Sequence, residues 1–300
     1  VVPLGTGNDV ARILGWGKSA RVDSLRARLA ALGRARVATI DRWEARGELP
    51  EGVRSRAMCN YLSLGVDARA SLLWARLKRA APVLFRWRLL AKLWYIILGS
   101  PELVAHSFGR LRERIVVTCD GEPVELPRRC EGLMVLNTPS YGGGSDLWDA
   151  DGGAPLASRD AWGATAAEER SPAANDGVLE LVGVTDVLHL ALTLGGLSNG
   201  MRICQGRTLT LDVRGEGVPL QRDGEPFNVA LEKGGSIGAC EPFLIQLERC
   251  GSALMLKAPA GGLEAREGGE GELAVERGYA QGSLSLAQRD ALFAAMSSES

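Results

Sequence analysis

Ten short apolar segments, separated by turn residues, constrain the fold of this 300-residue chain more than any other feature of its sequence. Short strands with turns between them favour an antiparallel sandwich, because a parallel α/β sheet needs a crossover between each pair of strands. The predicted strands cover residues 37–40, 58–66, 114–119, 132–138, 178–184, 208–213, 219–222, 228–232, 243–248 and 253–257. We therefore expect most of the chain to form an antiparallel β-sandwich.

Helical stretches interrupt the predicted strands at about residues 69–98 and 189–199. A third, short helix is expected near the C-terminus, where Ser285 and Gln288 have the spacing of a capping box. In that motif each of the two side chains accepts a hydrogen bond from the other residue's backbone N–H. The chain is therefore expected to be an α+β protein.

Two domains and a tail are predicted. Residues 1–36 are interpreted as a remnant of an α/β domain, because an apolar strand at residues 1–4 precedes a glycine-rich turn and a helix. Residues 37–257 form the predicted sandwich, and its segment 149–175, rich in Ala, Gly, Asp and Glu, is expected to be a disordered insertion. Residues 258–300 form a tail with a short helix that could pack back on the N-terminal segment.

The composition argues against several classes of protein. With 46% apolar and 24% charged residues the chain is globular in composition, and 35 basic against 36 acidic residues argue against a nucleic-acid-binding domain. Six cysteines without a Cys-x-x-Cys pair are predicted to be free thiols in a reducing cytoplasm. The two histidines, His106 and His189, are far apart in sequence, so no histidine-based metal site is expected.

A glycine-rich turn made by Gly5, Thr6, Gly7 and Asn8 lies between the predicted strand and the predicted helix. The backbone N–H groups of such a turn, together with the N-terminus of a helix, attract anions such as phosphate. The pattern is neither that of a P-loop nor that of a dinucleotide-binding turn. The residues alone leave open an ordinary tight turn in which Asn8 or Asp9 caps the helix.

A second glycine-rich loop, residues 140–146, follows the apolar strand predicted at 132–138. Its glycines would permit positive φ angles and the close approach of a ligand to the backbone. A flexible loop leading into the insertion explains the same composition equally well. Both interpretations stay open on the sequence alone.

The tripeptide Asp-Gly-Glu occurs twice, beginning at Asp120 and at Asp223. Each copy fits a hairpin turn between two strands. Paired carboxylates could also hold the water molecules of a metal ion or act as a general base. The residues alone favour the hairpin interpretation for both copies.

Residues 68–101 contain no acidic residue, although they contain seven basic and five aromatic ones. Basic charge interleaved with Trp suits a helix that lies on an anionic bilayer surface. Pro82 is predicted to divide the stretch into two helices, and the second is apolar on nearly all sides, which also fits a buried helix with outward-reaching Arg and Lys stems. We expect peripheral membrane contact through residues 69–98, with a core helix as the alternative.

Several segments, in order along the chain, resemble the diacylglycerol kinases. Residues 2–12 and 14–17 resemble the end of the catalytic domain of that family. The segments that resemble the accessory domain are 60–68, 92–95, 119–121, 126–127, 131–137, 139–144, 146–148, 176–180 and 221–227.

The resemblance implies a lipid-kinase fold, in which an N-terminal α/β domain binds ATP, a β-sandwich follows and the active site lies between them. It implies transfer of the γ-phosphoryl group of ATP to 1,2-diacylglycerol in a membrane, giving phosphatidic acid, by a cytoplasmic protein peripheral to membranes. Such chemistry needs phosphate binding, Mg²⁺ and a proton acceptor.

Roles for individual residues follow from the same resemblance. The turn formed by residues 5–8 would bind phosphate, Asp223 would organise the water molecules of Mg²⁺, and Glu225 would be the catalytic base. The first Asp-Gly-Glu copy matches only a hairpin of the family.

The family's Gly-Gly-Asp-Gly-Thr nucleotide motif is expected before Val1, so we expect the chain to be a fragment that is inactive alone. Two other functions stay open: a ceramide- or sphingosine-type lipid kinase, and a non-catalytic, lipid-binding accessory domain. The segments 60–68 and 141–146 favour diacylglycerol as the lipid.

Overall fold

The structure is a computed structural model, and it describes residues 1–5, 7–19, 25–47, 57–80, 110–148, 171–214, 218–227, 243–259, 285 and 288. The helices within these residues are α1 Asp9–Ile13, α2 Leu25–Leu32, α3 Val66–Ala80, α4 Leu111–Arg114 and α5 Val187–Leu194. The strands are β1 Arg36–Arg46, β2 Ala57–Met58, β3 Tyr61–Gly65, β4 Ile115–Cys119, β5 Glu122–Val124, β6 Gly132–Leu136, β7 Leu179–Val184, β8 Met201–Gly206, β9 Thr208–Val213, β10 Leu220–Arg222, β11 Glu225–Phe227 and β12 Phe243–Lys257.

Two six-stranded sheets form the main body of the described chain. The strand order is β2-β1-β12-β9-β4-β5 in the first sheet and β11-β10-β3-β6-β7-β8 in the second. Every pair of neighbouring strands is antiparallel. Side chains of both sheets meet in one buried apolar cluster, as the periodicity of the strands requires. The predicted antiparallel sandwich and the α+β class are therefore confirmed.

The central strands of the second sheet are covered on both faces. All five residues of β3, all five of β6 and all six of β7 are buried. Gly65, at the end of β3, has φ of +83°, and a Cβ atom there would lie 2.3 Å from the carbonyl oxygen of Glu131. The chain can therefore turn from β3 into α3 against β6 only with a glycine at this position.

A second, smaller apolar cluster joins the N-terminal helices to the extended ribbon of β1 and β12. It contains Ala11, Leu14, Trp16, Ala31, Ile40 and Ala258. The indole N–H of Trp16 donates to the carbonyl of Leu256 at 2.5 Å, and the backbone N–H of Ala258 donates to the carbonyl of Leu14 at 2.7 Å. The end of β12 and the residue just after it thus contact the N-terminal segment of the chain.

The structure corrects several predicted boundaries. The strand predicted at residues 1–4 is not formed, because Pro3 has no N–H and the N–H of Leu4 donates to the carbonyl of Val2, which bends the segment. The strands predicted at 243–248 and 253–257 are one continuous strand, β12. Strand β8 was not predicted. The strand predicted at 228–232 lies outside the described residues.

The predicted helices are found in part. Helix α3 corresponds to the first part of the 69–98 stretch, whereas residues 81–98 lie outside the described residues. The helix predicted at 189–199 is α5, which ends before two glycines. The capping box is confirmed, because the N–H of Ser285 donates to Gln288 Oε1 at 2.9 Å and the N–H of Gln288 donates to Ser285 Oγ at 3.3 Å.

The segment predicted to be a disordered insertion is described only at its end, in residues 171–175. There the carbonyl of Ala174 accepts a hydrogen bond of 2.7 Å from the N–H of Asp41 in β1. Residues 149–170 lie outside the described residues. None of the described helices is long and apolar enough to cross a bilayer.

Candidate active site

The glycine-rich turn before α1 is closed by the side chain of Asn8. Its Oδ1 accepts from the N–H of Gly5 at 2.8 Å, and its Nδ2 donates to the carbonyls of Gly5 and Lys18, both at 2.9 Å. Asn8 has φ of +57° and its side chain makes no capping hydrogen bond to α1. Asn8 therefore shapes the turn rather than capping the helix. Thr6 lies outside the described residues.

The carboxylate of Asp9 joins this turn to the second glycine-rich loop. Asp9 is 5% exposed, and its Oδ1 accepts from the N–H groups of Gly143 at 2.9 Å and Gly144 at 3.1 Å. Gly144 has φ of +104°, and a Cβ atom there would lie 2.8 Å from Arg12 Nη1. The two glycine-rich segments, predicted separately, therefore lie against each other, and the positive φ of Gly144 favours glycine at their contact.

The pKa of Asp9 is subject to opposing effects. Loss of solvent around the carboxyl group raises the pKa of Asp9 above its usual value. The backbone hydrogen bonds from Gly143 and Gly144, and the positive charge of Arg12, lower the pKa and offset part of that rise. The contact between the two segments is therefore a charge-assisted one held in a mostly buried place.

A buried polar network lies below this contact, at the junction of β3, α3 and β10. Asp67 Oδ2 accepts from Ser63 Oγ, from Tyr141 Oη at 2.5 Å and from Gln221 Nε2 at 2.7 Å. Gln221 Nε2 is also 2.9 Å from Tyr141 Oη. Tyr141 lies two residues before Gly143, the first of the two glycines that bind Asp9, so the network fixes the start of that loop.

Tyr61 connects the elements of the site. Its ring centroid is 4.4 Å from that of Tyr141. Burial is the main cause that raises the pKa of the Tyr61 hydroxyl well above its usual value. The nearby charges of Asp9, Asp67 and Asp223 raise that pKa further, so three carboxylates surround this one phenol.

The Asp223-Gly224 turn joins β10 to β11 at the same end of the sheet. Asp223 and Gly224 have φ of +49° and +84°, as in a two-residue hairpin turn. Asp223 Oδ1 accepts from the backbone N–H groups of Asn60 at 2.8 Å and Tyr61 at 3.1 Å, and its Oδ2 accepts from that of Cys59 at 3.1 Å. The carboxylate thus ties the turn to the start of β3.

Asp120 makes the same kind of turn in the other sheet. Asp120 and Gly121 have φ of +50° and +91°, and Asp120 Oδ1 accepts from the N–H groups of Arg207 at 2.9 Å and Thr208 at 2.7 Å. The hairpin interpretation is therefore confirmed for both Asp-Gly-Glu copies. Only the copy at Asp223 lies beside Tyr61, because a Cβ atom on Gly224 would be 3.9 Å from the Tyr61 hydroxyl.

Glu225 begins β11, and its side chain is exposed. It lies opposite Arg222 in the β10–β11 hairpin, and its charge raises the pKa of Arg222 against the larger, lowering effect of burial. No group of three or more His, Cys, Asp or Glu side chains within the described ranges could hold a metal ion. Within these ranges the carboxylates of the site therefore do not form a preformed metal cage.

Comparison with known proteins places this site in a family. Residues 57–226, more than half of the chain, match the family model described as diacylglycerol kinase accessory domain. The chain belongs to the diacylglycerol kinase accessory-domain family. The accessory domain so matched includes Asp67, Tyr141, Asp223 and Glu225, whereas the turn at residues 5–8 lies before it.

Similar proteins carry diacylglycerol kinase names. The chain is 30% identical over 282 residues to "Probable diacylglycerol kinase 3" of Caenorhabditis elegans, covering 87% of the chain and 34% of that protein. It is 33% identical over 242 residues to "Diacylglycerol kinase theta" of Homo sapiens, covering 76% and 24%. It is 32% identical over 237 residues to "Diacylglycerol kinase 2" of Arabidopsis thaliana, covering 76% and 32%. The chain thus spans about a third or less of the length of these relatives.

A solved structure was also found. The structure titled "Crystal structure of a putative diacylglycerol kinase from Bacillus anthracis str. Sterne" matches with a TM-score of 0.42 and 17% identity. The match covers 82% of the present chain and 64% of that chain.

A buried carboxyl group of the accessory domain, Glu180, was not predicted from the sequence. It is the second residue of β7, and its Oε1 accepts from Gln205 Nε2 at 3.1 Å, whereas Oε2 has no hydrogen-bond partner within the described part of the chain. Burial raises the pKa of Glu180 from 4.5 to about 8, and the charge of Asp176 adds to the rise against the hydrogen bond from Gln205. The group is therefore held in its neutral form at pH 7.

We expect the free energy of unfolding to fall as the pH rises from about 4.5 to about 8, because the unfolded chain releases the Glu180 proton in this range and the folded chain keeps it. The slope from this group alone approaches about 1.4 kcal/mol per pH unit. Glu180→Gln should remove this slope, as measured by urea unfolding at pH 5 and pH 8. The exposed Glu122→Gln is the control, and parallel pH profiles for wild type and Glu180→Gln would contradict the assignment.

Proposed function

We propose that this protein phosphorylates 1,2-diacylglycerol with ATP and thereby forms phosphatidic acid. The observation that carries the proposal is the pair of hydrogen bonds from Gly143 and Gly144 to Asp9. These bonds hold a turn suited to phosphate against a loop of the accessory domain, next to the Asp223-Gly224-Glu225 hairpin. The reaction is inferred from the names of the relatives. The contact between the turn and the loop supports this region as the site of that reaction.

The phosphate groups of ATP are assigned to the turn that contains Gly5, Thr6, Gly7 and Asn8. Asn8 holds the turn closed through three hydrogen bonds, two of them to the backbone of Gly5, so the shape of the turn is fixed before a ligand binds. Preorganised backbone N–H groups favour phosphate because they need no rearrangement when the anion binds.

Asp223 is assigned as the residue that would hold Mg²⁺, through a water molecule of the ion. A carboxylate has about four lone-pair positions. Backbone N–H groups take three of those of Asp223, so one remains for a water molecule of the ion. Mg²⁺ is usually bound through one or two carboxylates, phosphates and water, so this donor set fits the ion. When bound, the ion would neutralise charge on the transferred phosphoryl group.

Glu225 is assigned as the general base. Asp223 fixes the hairpin that carries Glu225, and the exposed carboxylate can reach a hydroxyl group presented from a bilayer. In the proposed step, the hydroxyl oxygen of diacylglycerol forms a bond to the γ-phosphorus while the bond from that phosphorus to ADP breaks. The hydroxyl proton passes to the Glu225 carboxylate.

Peripheral membrane contact at the cytoplasmic surface is part of the proposal. In α3, after Asp67, Arg76, Lys78 and Arg79 follow without an acidic residue, and Lys78 and Arg79 are exposed. Each basic residue near an anionic surface contributes on the order of 1 kcal/mol, screened by salt. Residues 81–98, the remainder of the predicted membrane segment, lie outside the described residues.

The test measures transfer of label from [γ-³²P]ATP to diacylglycerol, ceramide and sphingosine in mixed micelles. It uses the chain and longer forms of the protein that contain it. We expect diacylglycerol to be phosphorylated at least about tenfold faster than the other lipids, which is the discrimination that about 1.4 kcal/mol provides. Faster ceramide or sphingosine phosphorylation would replace the proposal with that activity. Lipid binding without phosphorylation in every form would indicate a non-catalytic accessory domain.

A further inference from the structure

Helix α5 and the turn after it form a segment without charged residues. From Val187 to Met201 there is no Asp, Glu, Lys or Arg. The polar side chains of the helix form hydrogen bonds with nearby backbone groups. His189 Nδ1 accepts from the N–H of Thr185 at 3.1 Å, its Nε2 is 2.8 Å from the carbonyl of Asn199, and Thr193 Oγ1 donates to the carbonyl of His189 at 2.8 Å. The outward surface of α5 is therefore left to apolar side chains.

Three leucines project from this surface. Leu188, Leu192 and Leu197 are 52%, 38% and 79% exposed. Leu188 and Leu192 are four residues apart, so they share a face of the helix. Gly196, with φ of +72°, reverses the chain, and the N–H of Leu197 donates to the carbonyl of Leu192 at 2.9 Å, which brings the third leucine beside the helix end. We call these residues the leucine ridge.

The helix that carries the leucine ridge contacts a loop of the candidate active site. Ser145 Oγ donates to the carbonyl of Leu194, the last residue of α5, at 2.8 Å. A Cβ atom on Gly142 would lie 2.8 Å from Leu194 Cδ2, so loop and helix are closely packed. The next residues of that loop, Gly143 and Gly144, bind Asp9. A surface that binds the ridge is thereby brought next to the site.

We propose that the leucine ridge inserts into the apolar boundary of a lipid bilayer and so seats the active site on the membrane that contains its lipid. This inference rests on the proposed function and adds a surface that binds the membrane independently of catalysis. A charge-free segment can enter the boundary without the cost of desolvating an ion. Helix α3, which packs against α5, supplies basic side chains that suit the anionic headgroups above that boundary.

The test is sedimentation of the chain with sucrose-loaded phosphatidylcholine vesicles, without ATP or diacylglycerol, in high salt. Neutral lipid and salt suppress attraction through basic residues, so binding reports apolar insertion. We expect L188S/L192S/L197S to lower the partition coefficient at least about tenfold. The matched control is V37S/L254S/L256S, which replaces three apolar side chains, 69%, 76% and 43% exposed, on the β1–β12 ribbon. That control should bind like wild type, and circular dichroism should show both variants folded.

Equal binding by the ridge variant and wild type, or equal loss in both triple variants, would overturn the inference. If wild type is a dimer by light scattering and only the ridge variant is a monomer, the ridge binds a second protein copy, and the inference is again overturned. A different result would contradict the proposed function alone: vesicle binding through the ridge without phosphorylation of diacylglycerol. Loss of vesicle binding with continued phosphorylation of a soluble short-chain diacylglycerol would support both conclusions.

Discussion

Glu225→Gln should lower the rate of phosphatidic acid formation by about 10²- to 10⁴-fold, which is the usual effect of removing a positioned general base. Gln keeps the size and hydrogen bonding of Glu but cannot accept the proton of the diacylglycerol hydroxyl. Glu225 is exposed at the start of β11, so the change should leave the fold intact. The measurement is the initial rate at saturating ATP and Mg²⁺, in a form of the protein that shows the activity.

Glu122→Gln is the matched control, because Glu122 occupies the same position in the other Asp-Gly-Glu hairpin and is also exposed. Its turn is tied to the edge of β9 through Asp120, away from Tyr61 and Asp9. We expect its rate to equal that of wild type and its free energy of unfolding to change by less than about 0.5 kcal/mol. Equal rates for the two Gln variants would show that Glu225 is not the general base and that its hairpin has only a structural role.

The two hairpins also show what the sequence could and could not predict. An Asp-Gly pair between two strands specifies a tight turn through local backbone preferences, and both turns are found. The partners of the two aspartates were not predictable, because the N–H groups bound by Asp223 lie more than 160 residues away in sequence. Only the packing of β3 beside β10 brings those groups together.

The same reasoning explains the errors in the fold. Strands made mostly of apolar residues, such as β6 and β7, were found because their pattern alone identifies them. Strand β8 contains Arg202 and Gln205, whose polar groups are accommodated by neighbours: Arg202 lies over the ring of Trp148, and Gln205 bonds to Glu180. Local hydrophobicity cannot reveal a strand whose polar side chains are stabilised by distant residues.

The contact between the two glycine-rich segments was likewise not predicted. Each segment was recognised from its glycines, but nothing in either stretch indicated that Asp9 would bind the N–H groups of Gly143 and Gly144. The buried network around Asp67 was missed for the same reason, since Ser63, Tyr141 and Gln221 come from three separate parts of the chain.

Asp67→Ala should lower the free energy of unfolding by about 3–5 kcal/mol, because it leaves the donors of Ser63, Tyr141 and Gln221 buried without their common acceptor. Each hydrogen bond to a charged group contributes about 1.5–3 kcal/mol, and unsatisfied buried donors add to the loss. Urea unfolding at pH 7 measures the effect. Asp67→Asn keeps one acceptor oxygen and should lose less than Asp67→Ala.

Asp212→Ala provides the comparison, since it removes an aspartate whose ion pair with Arg214, at 2.7 Å, is at the surface. Exposed pairs contribute about 0–1 kcal/mol, so this variant should unfold close to wild type. A loss for Asp67→Ala no larger than that for Asp212→Ala would show that the network does not hold β3, α3 and β10 together. If the large loss is found, Tyr141 should also lose its fixed position. The Gly143 and Gly144 N–H groups would then bind Asp9 less well, because they lie only two and three residues after that tyrosine in the same loop.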